Sequence, residues 1–145
     1  MLYVVSISIP PNTPKDEPIE KEIKIFEKWV EDITIYFPPG HVCLTGVALF
    51  YGTDQIFPNE EQEWVKGNDI PIKGYLHFRA PEKPLRLKVK AYNEDDTYTH
   101  TVYVYINTSD ISLDEVNKSI VEMTNILREL LEEWRKVFSI PGEVV

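Results

Sequence analysis

What the chain lacks narrows its function before any motif is sought. It has a single cysteine, Cys43, in 145 residues. That excludes an intrachain disulfide and a multi-cysteine zinc site. Positive charge is scarce: 15 Lys and Arg against 24 Asp and Glu leave a net charge of −9. Proteins that neutralise a phosphate backbone need clustered Lys and Arg, so nucleic acid is not expected as a partner. No apolar run reaches the length of a membrane span, and Met1-Leu2-Tyr3-Val4-Val5-Ser6 lacks the basic start and long apolar core of a signal peptide. Neither a membrane nor a secretory route is therefore expected, and the glycosylation-like triplets at Asn107 and Asn117 are discounted. Serine nucleophile elbows and phosphate-cradling glycine loops are also missing.

What is present is a β-pattern followed by a helical one. Leu85, Leu87, Val89 and Ala91 alternate with Arg86, Lys88, Lys90 and Tyr92. After Asn93–Thr97 the alternation resumes, with His100, Val102, Val104 and Ile106 on one side and Thr101, Tyr103 and Tyr105 on the other. A period of two puts successive side chains on opposite faces of a strand, so Leu85–Ile106 reads as a hairpin with one buried face. From Ser112 the period changes. Leu113, Val116, Ile120, Met123, Leu127, Leu130, Trp134 and Val137 recur at alternating steps of three and four, which defines an amphipathic helix. Ser112 and Glu115 form a capping-box pattern with Ile111 and Val116 as its staple, and Ile140-Pro141-Gly142 supplies a stop.

Ahead of the hairpin, further strands are expected at Leu2–Ile9, Ile23–Trp29, Ile33–Phe37, Val42–Tyr51 and Ile70–Phe78, with short pieces at Gln55–Phe57 and Trp64-Val65. Glu31-Asp32 is a bulge or turn. Pro10-Pro11, Pro38-Pro39-Gly40, Gly52-Thr53-Asp54, Gly67-Asn68-Asp69 and Pro81–Pro84 punctuate them. Closely spaced strands without intervening helices indicate an antiparallel β-sandwich, of jelly-roll or Ig-like type, over residues 1–108. Residues 109–145 form the helix and its tail. The 3.5-residue step suits a coiled-coil seam, while Val121, Ile126, Leu131 and Phe138 widen the stripe as docking on a sheet requires. Both uses of the helix remain open: docking on its own sandwich, or packing between subunits.

Several constellations were weighed for chemistry. His41 and Cys43, two apart on one side of a strand, can ligate one ion together with His100 or His77. Asn93-x-Asp95 followed by His100 is similar to the first-ligand region of cupredoxins, but in that family the cysteine follows the first histidine, and here Cys43 precedes His100. A core His100 with a hydrogen-bond partner is the expected reading, and no metal, cofactor or catalytic residue is assigned. Glu94-Asp95-Asp96 lacks a calcium-loop pattern and suits a turn. Glu60, Glu61, Glu63 and Asp69 offer carboxylates without evidence of opposed environments. Arg86, Lys88 and Lys90 read as a solvated sheet face. The candidate contact residues are Tyr92, Tyr103 and Tyr105, on one face beside Lys88 and Lys90 that is either an exposed contact surface or a second buried face packed against the C-terminal helix, and Val116, Ile120, Met123, Leu127, Leu130 and Trp134 on the helix.

The order of motifs is also familiar: Ile9-Pro10-x-x-Thr13 with Pro18; Phe37-Pro38-Pro39-Gly40; Gly46-Val47; Tyr51-Gly52; Gln55-Ile56-Phe57-Pro58; Trp64 with Gly67-Asn68-Asp69; and Ala91-Tyr92-Asn93-x-Asp95 leading to His100. Over most of Ile7–Ile106 it resembles small β-sandwich proteins of tailed-phage and archaeal-virus structural regions. That resemblance implies a virion component, such as a decoration, neck or tail piece, and brings no catalytic residues with it. The expectation is a non-enzymatic structural protein that self-associates and contacts other proteins of a particle, located in a virion or in the cytoplasm of the producing cell. The abundant Glu, Lys and Pro would suit a thermophilic source. A carbohydrate- or ligand-binding sandwich module is the alternative.

Overall fold

A computed structural model describes residues 1–111 and 113–139. The chain divides into two compact units, Met1–Asp110 and Ile111–Val145. The first holds nine strands: β1 (Leu2–Ile9), β2 (Ile19–Ile25), β3 (Trp29–Phe37), β4 (Thr45–Tyr51), β5 (Asp54–Phe57), β6 (Val65–Lys66), β7 (Ile70–Arg79), β8 (Leu85–Asn93) and β9 (His100–Ser109). The second holds one helix, α1 (Leu113–Phe138).

Two antiparallel sheets form the sandwich, one in the order β1-β9-β3-β7 and the other β2-β8-β4-β5, with β6 pairing to β4. The pairing is nested. Leu2 lies opposite Asn107, Ile25 opposite Leu85, Phe37 opposite Ile70 and Tyr51 opposite Asp54. The unit is therefore one long antiparallel ribbon, turned at Gly52-Thr53 and rolled into two layers. This is the eight-stranded jelly-roll order, with β6 as an addition. Gly52 sits at the tip with φ +59°, a left-handed conformation that glycine adopts without a side-chain penalty.

The nesting corrects one expectation. β8 and β9 are not a hairpin: β8 pairs with β2 and β4, whereas β9 pairs with β1 and β3, in the opposite sheet. Residues 94–99 cross between the layers. Alternation still gives the right buried set, because each strand turns its apolar side inward. Leu85, Leu87, Val89 and Ala91 face Val102, Val104 and Ile106, and all seven are buried. Ile33, Ile35 and Phe37 from β3, and Val47 and Leu49 from β4, complete the core. Each fully buried aliphatic side chain contributes about 1.5–3 kcal/mol relative to exposure.

Strand boundaries shift in the first half of the unit, where the strand expected at Ile33–Phe37 already starts at Trp29. The strand expected at Ile23–Trp29 runs instead over Ile19–Ile25, so the break falls at residues 26–28. Val30–Asp32 is a bulge inside β3, felt by both of its neighbours. The strand expected from Val42 begins at Thr45, because Val42 and Cys43 adopt φ of 49° and 57° and cannot continue a ladder.

In α1, Asp114 and Glu115 stand in the first turn and Arg135 and Lys136 in the last, each complementing the helix dipole. The capping box at Ser112 and the stop at Ile140-Pro141-Gly142 lie outside the described residues. No described helix is long and apolar enough to cross a membrane.

Candidate functional site

The connections β1–β2, β3–β4 and β8–β9 bring two of the three histidines expected to be chemically interesting, His41 and His100, into one polar cluster. His41 is buried. Its Nε2 lies 3.0 Å from the Thr101 carbonyl, which can only accept, so Nε2 carries the proton. Nδ1 then accepts from Thr45 Oγ1 at 2.6 Å. Its ring centroid is 4.5 Å from that of His100. Burial first, and the His100 ring second, push the His41 pKa below the ordinary imidazole value, against the opposing hydrogen bond to Thr101.

His100 Nε2 donates to Asp95 Oδ2 at 2.7 Å. The other Asp95 oxygen accepts from the amides of Thr97 and Tyr98. The Thr97 amide foremost, then His100, hold the Asp95 carboxyl below its usual range, although desolvation opposes them. Asn93 is fully buried and fully used: Nδ2 donates to the Ile9 and Tyr98 carbonyls, and Oδ1 accepts from the Asp95 amide. The acidic turn is thus a self-bonded loop tied to the ends of β1, β8 and β9. Buried polar groups satisfied in this way make a structural network.

Cys43 does not join His41 on a strand face. It is exposed, in the loop before β4, where its left-handed backbone turns it out of any ladder. His77 lies on β7, stacked on Trp29 at 4.7 Å and 3.3 Å from Glu31. Among the described residues no three His, Cys, Asp or Glu side chains come together as a metal-holding group.

The tyrosines divide between the two layers. Tyr103 and Tyr105 project from the outer face of the β1-β9-β3-β7 sheet, half-buried, with the Tyr36 and Tyr103 rings 6.4 Å apart. Tyr75, which is 82% exposed and has Lys73 over its ring at 5.1 Å, extends this aromatic band. Sequence reasoning missed Tyr36 and Tyr75. Both follow the period-two signal on their own strands, but only the β3–β7 and β3–β9 registers place them with Tyr103 and Tyr105.

Tyr92 belongs elsewhere, which corrects its expected place on that face. It lies on the outer side of β8 in the other sheet and is nonetheless fully buried. Its ring lies over Gly46, where a Cβ would come within 2.2 Å, and Trp64 meets it edge-on at 4.9 Å. Lys15 and Lys66 close over it at 5.1 and 5.9 Å. Its hydroxyl has no hydrogen-bond partner among the described residues, and the phenol beside Lys66 raises that ammonium's pKa. The basic strip is also spoken for. Arg86 pairs with Glu22, while Lys88 and Lys90 both pair with Glu20 across the β2–β8 ladder. Exposed pairs of this kind contribute about 0–1 kcal/mol, so the strip is a neutralised sheet face.

The remaining candidates stand on α1. Val116, Ile120, Met123, Leu127, Leu130 and Trp134 are all exposed, as are Val121, Ile126, Leu131, Val137 and Phe138 beside them. In heptad positions, Leu113, Ile120, Leu127 and Trp134 occupy a, and Val116, Met123, Leu130 and Val137 occupy d. Ile126 falls at g, and Leu131 and Phe138 at e. Nearly all the charges lie at b, c and f: Asp114, Arg128 and Arg135, then Glu115, Glu122, Glu129 and Lys136, then Lys118 and Glu132. Only Glu133, at g, borders the seam. Comparison with family models, curated proteins and solved structures finds no match for this chain.

Proposed function

We propose that this protein is a non-enzymatic assembly protein whose α1 packs against α1 of further copies and so gathers several jelly-roll units. The observation that carries this reading is the exposed heptad seam. Leu127, Leu130 and Trp134 are 61%, 56% and 66% exposed in the single chain. Contiguous apolar surface of this extent on a soluble protein marks an interaction site. The occupant is a second copy, because an uninterrupted 3.5-residue repeat is complementary to the same repeat on an identical helix, and closed symmetry satisfies every seam at once. Apolar e and g residues broaden the seam beyond what one neighbour covers, so the bundle has more than two helices. Burying even a few such side chains at about 1.5–3 kcal/mol each reaches the roughly 4–15 kcal/mol cost of association. The sandwich meanwhile closes its core with its own two sheets, and its outer tyrosine band is available to other proteins of a particle. A virion decoration, neck or tail piece, as the resemblance implies, is a particle component of this kind.

Solution mass tests it. Across the micromolar range, the full-length protein should sediment at several times the 16.9 kDa of one chain. Leu127→Glu with Leu130→Glu should restore the single-chain mass without altering the near-ultraviolet signal of the sandwich. Arg128→Glu, at a b position, should leave the oligomer intact. A full-length chain of monomer mass would overturn the proposal.

A further inference from the structure

The outer face of the β2-β8-β4-β5 sheet carries a cleft of about 680 Å³, walled by three separate parts of the chain. The β1–β2 connection contributes Lys15 and Asp16, the β4–β5 ribbon Phe50 and Gln55, and the loop before β6 Glu61 and Trp64, with Lys90 of β8 between them. The walls are braced without a ligand. The two N–H donors of Gln55 Nε2 are shared among the carbonyls of Pro58, Glu60 and Glu63, at 2.9, 2.9 and 3.0 Å, and so fix the loop that brings in Glu61 and Trp64. Trp64 rests edge-on against Tyr92, and the Lys90 ammonium sits 4.4 Å from the Phe50 ring centroid.

The chemistry of the lining selects a ligand class. Two partly exposed aromatic rings offer flat apolar surface. Both ammonium groups are already paired, Lys15 with Glu94 at 3.3 Å and Lys90 with Glu20 at 3.4 Å. An anionic ligand would have to compete with Glu94 and Glu20 for them. Thr53 and Gln62 add a neutral hydroxyl and amide to the lining, while Asp16 and Glu61, with no hydrogen bond or ion pair among the described residues, offer open carboxylate acceptors. A cationic ligand that used them would meet Lys15 and Lys90 in the same space. What fits is an uncharged molecule with one apolar face and many hydroxyl donors at its edge. We propose that this cleft is a saccharide-binding site, with Trp64 as the ring platform and Asp16 and Glu61 as hydroxyl acceptors. The inference rests on the sandwich alone and is independent of self-association through α1.

Calorimetric titration of the full-length protein with cellohexaose, maltohexaose, mannohexaose and N-acetylchitohexaose tests it, with tryptophan fluorescence recorded in parallel. One or more of these probes should bind and perturb the emission. Trp64→Ala should weaken binding by about thirtyfold, as loss of a central aromatic anchor does, and Trp64→Phe should restore most of it. Because Trp64 also packs on Tyr92, Asp16→Asn and Glu61→Gln provide the variants that leave the fold untouched. Each should weaken binding by about tenfold through loss of a charged acceptor. The proposal is overturned if none of the four probes binds at millimolar concentration, if binding is unchanged in Asp16→Asn and Glu61→Gln, or if dextran sulfate or choline binds in their place.

Discussion

The two units handle apolar side chains in opposite ways. In the sandwich, Ile33, Ile35, Phe37, Leu85, Leu87, Val104 and Ile106 are fully buried, each facing the other sheet. In α1, residues of the same types stand 41% to 74% exposed. A period of two closes on itself when a second sheet of the same chain faces the first. A period of three and a half is closed by another helix with the same repeat. One unit closes its apolar side within a single chain, and the other leaves its apolar stripe exposed, which is what the proposed association through α1 would cover.

The sharpest way to break this comparison is the pair Leu127→Glu and Leu130→Glu. Two carboxylates in the seam of each helix should dissociate the assembly throughout the micromolar range, while thermal unfolding of the sandwich, followed by near-ultraviolet dichroism in the same sample, stays in place. Next in size is Ile35→Ala, which leaves a cavity between the sheets and should cost about 2–5 kcal/mol in denaturant titration. The assembly should persist up to the point where the sandwich melts. Gly46→Val forces a side chain into the Tyr92 ring and should cost about 1–3 kcal/mol as an overpacking defect. A full-length protein that tolerated it without loss would show that the Tyr92 ring is free to move.

The smallest effect is on pH dependence. His41 has a lowered pKa when folded, so below the ordinary imidazole value of 6.5 the unfolded chain takes up a proton that the folded chain resists. Stability is complete above that value and falls as the pH drops from it towards the folded pKa. Asp95, also lowered, gives a second loss on acidification below its ordinary value of 3.8, down through its folded pKa. His41→Gln keeps polar partners for Thr45 and Thr101 and should abolish the first decline but not the second. Chemical denaturation at a series of pH values separates the two.

Much of this was legible in the sequence, and what was not has one common cause. Alternation identified the buried faces of β8 and β9, the apolar side of β3 and the seam of α1, since those signals are local. It also put Tyr92 on the outer side of its strand, which is correct. What alternation cannot carry is pairing between distant residues. Leu85–Ile106 looked like a hairpin because its halves adjoin, whereas β9 takes β1 and β3 as partners and β8 takes β2 and β4. Alternation cannot show what covers Tyr92, because Lys15, Trp64 and Lys66 arrive from far along the chain. The cleft was hidden for the same reason: Asp16, Phe50 and Glu61 become neighbours only when the ribbon is rolled. His41 and Cys43, two apart in sequence, were separated by backbone signs that nothing in His-Val-Cys announces.

The nested ribbon also dictates an order of events during synthesis. The innermost pair, β4 with β5, is complete once Phe57 has been made, and β3 finds β7 soon after. β1, made before the other eight strands, waits until residues 100–107 have been translated before its partner exists. Until then the backbone groups of β1 lack the ladder that later holds them. Closure across nearly the whole unit makes the last step the one of highest contact order, and such steps are slow. α1 is translated only after that final partner, so each new chain holds the complete sequence of its sandwich before its exposed apolar helix is made.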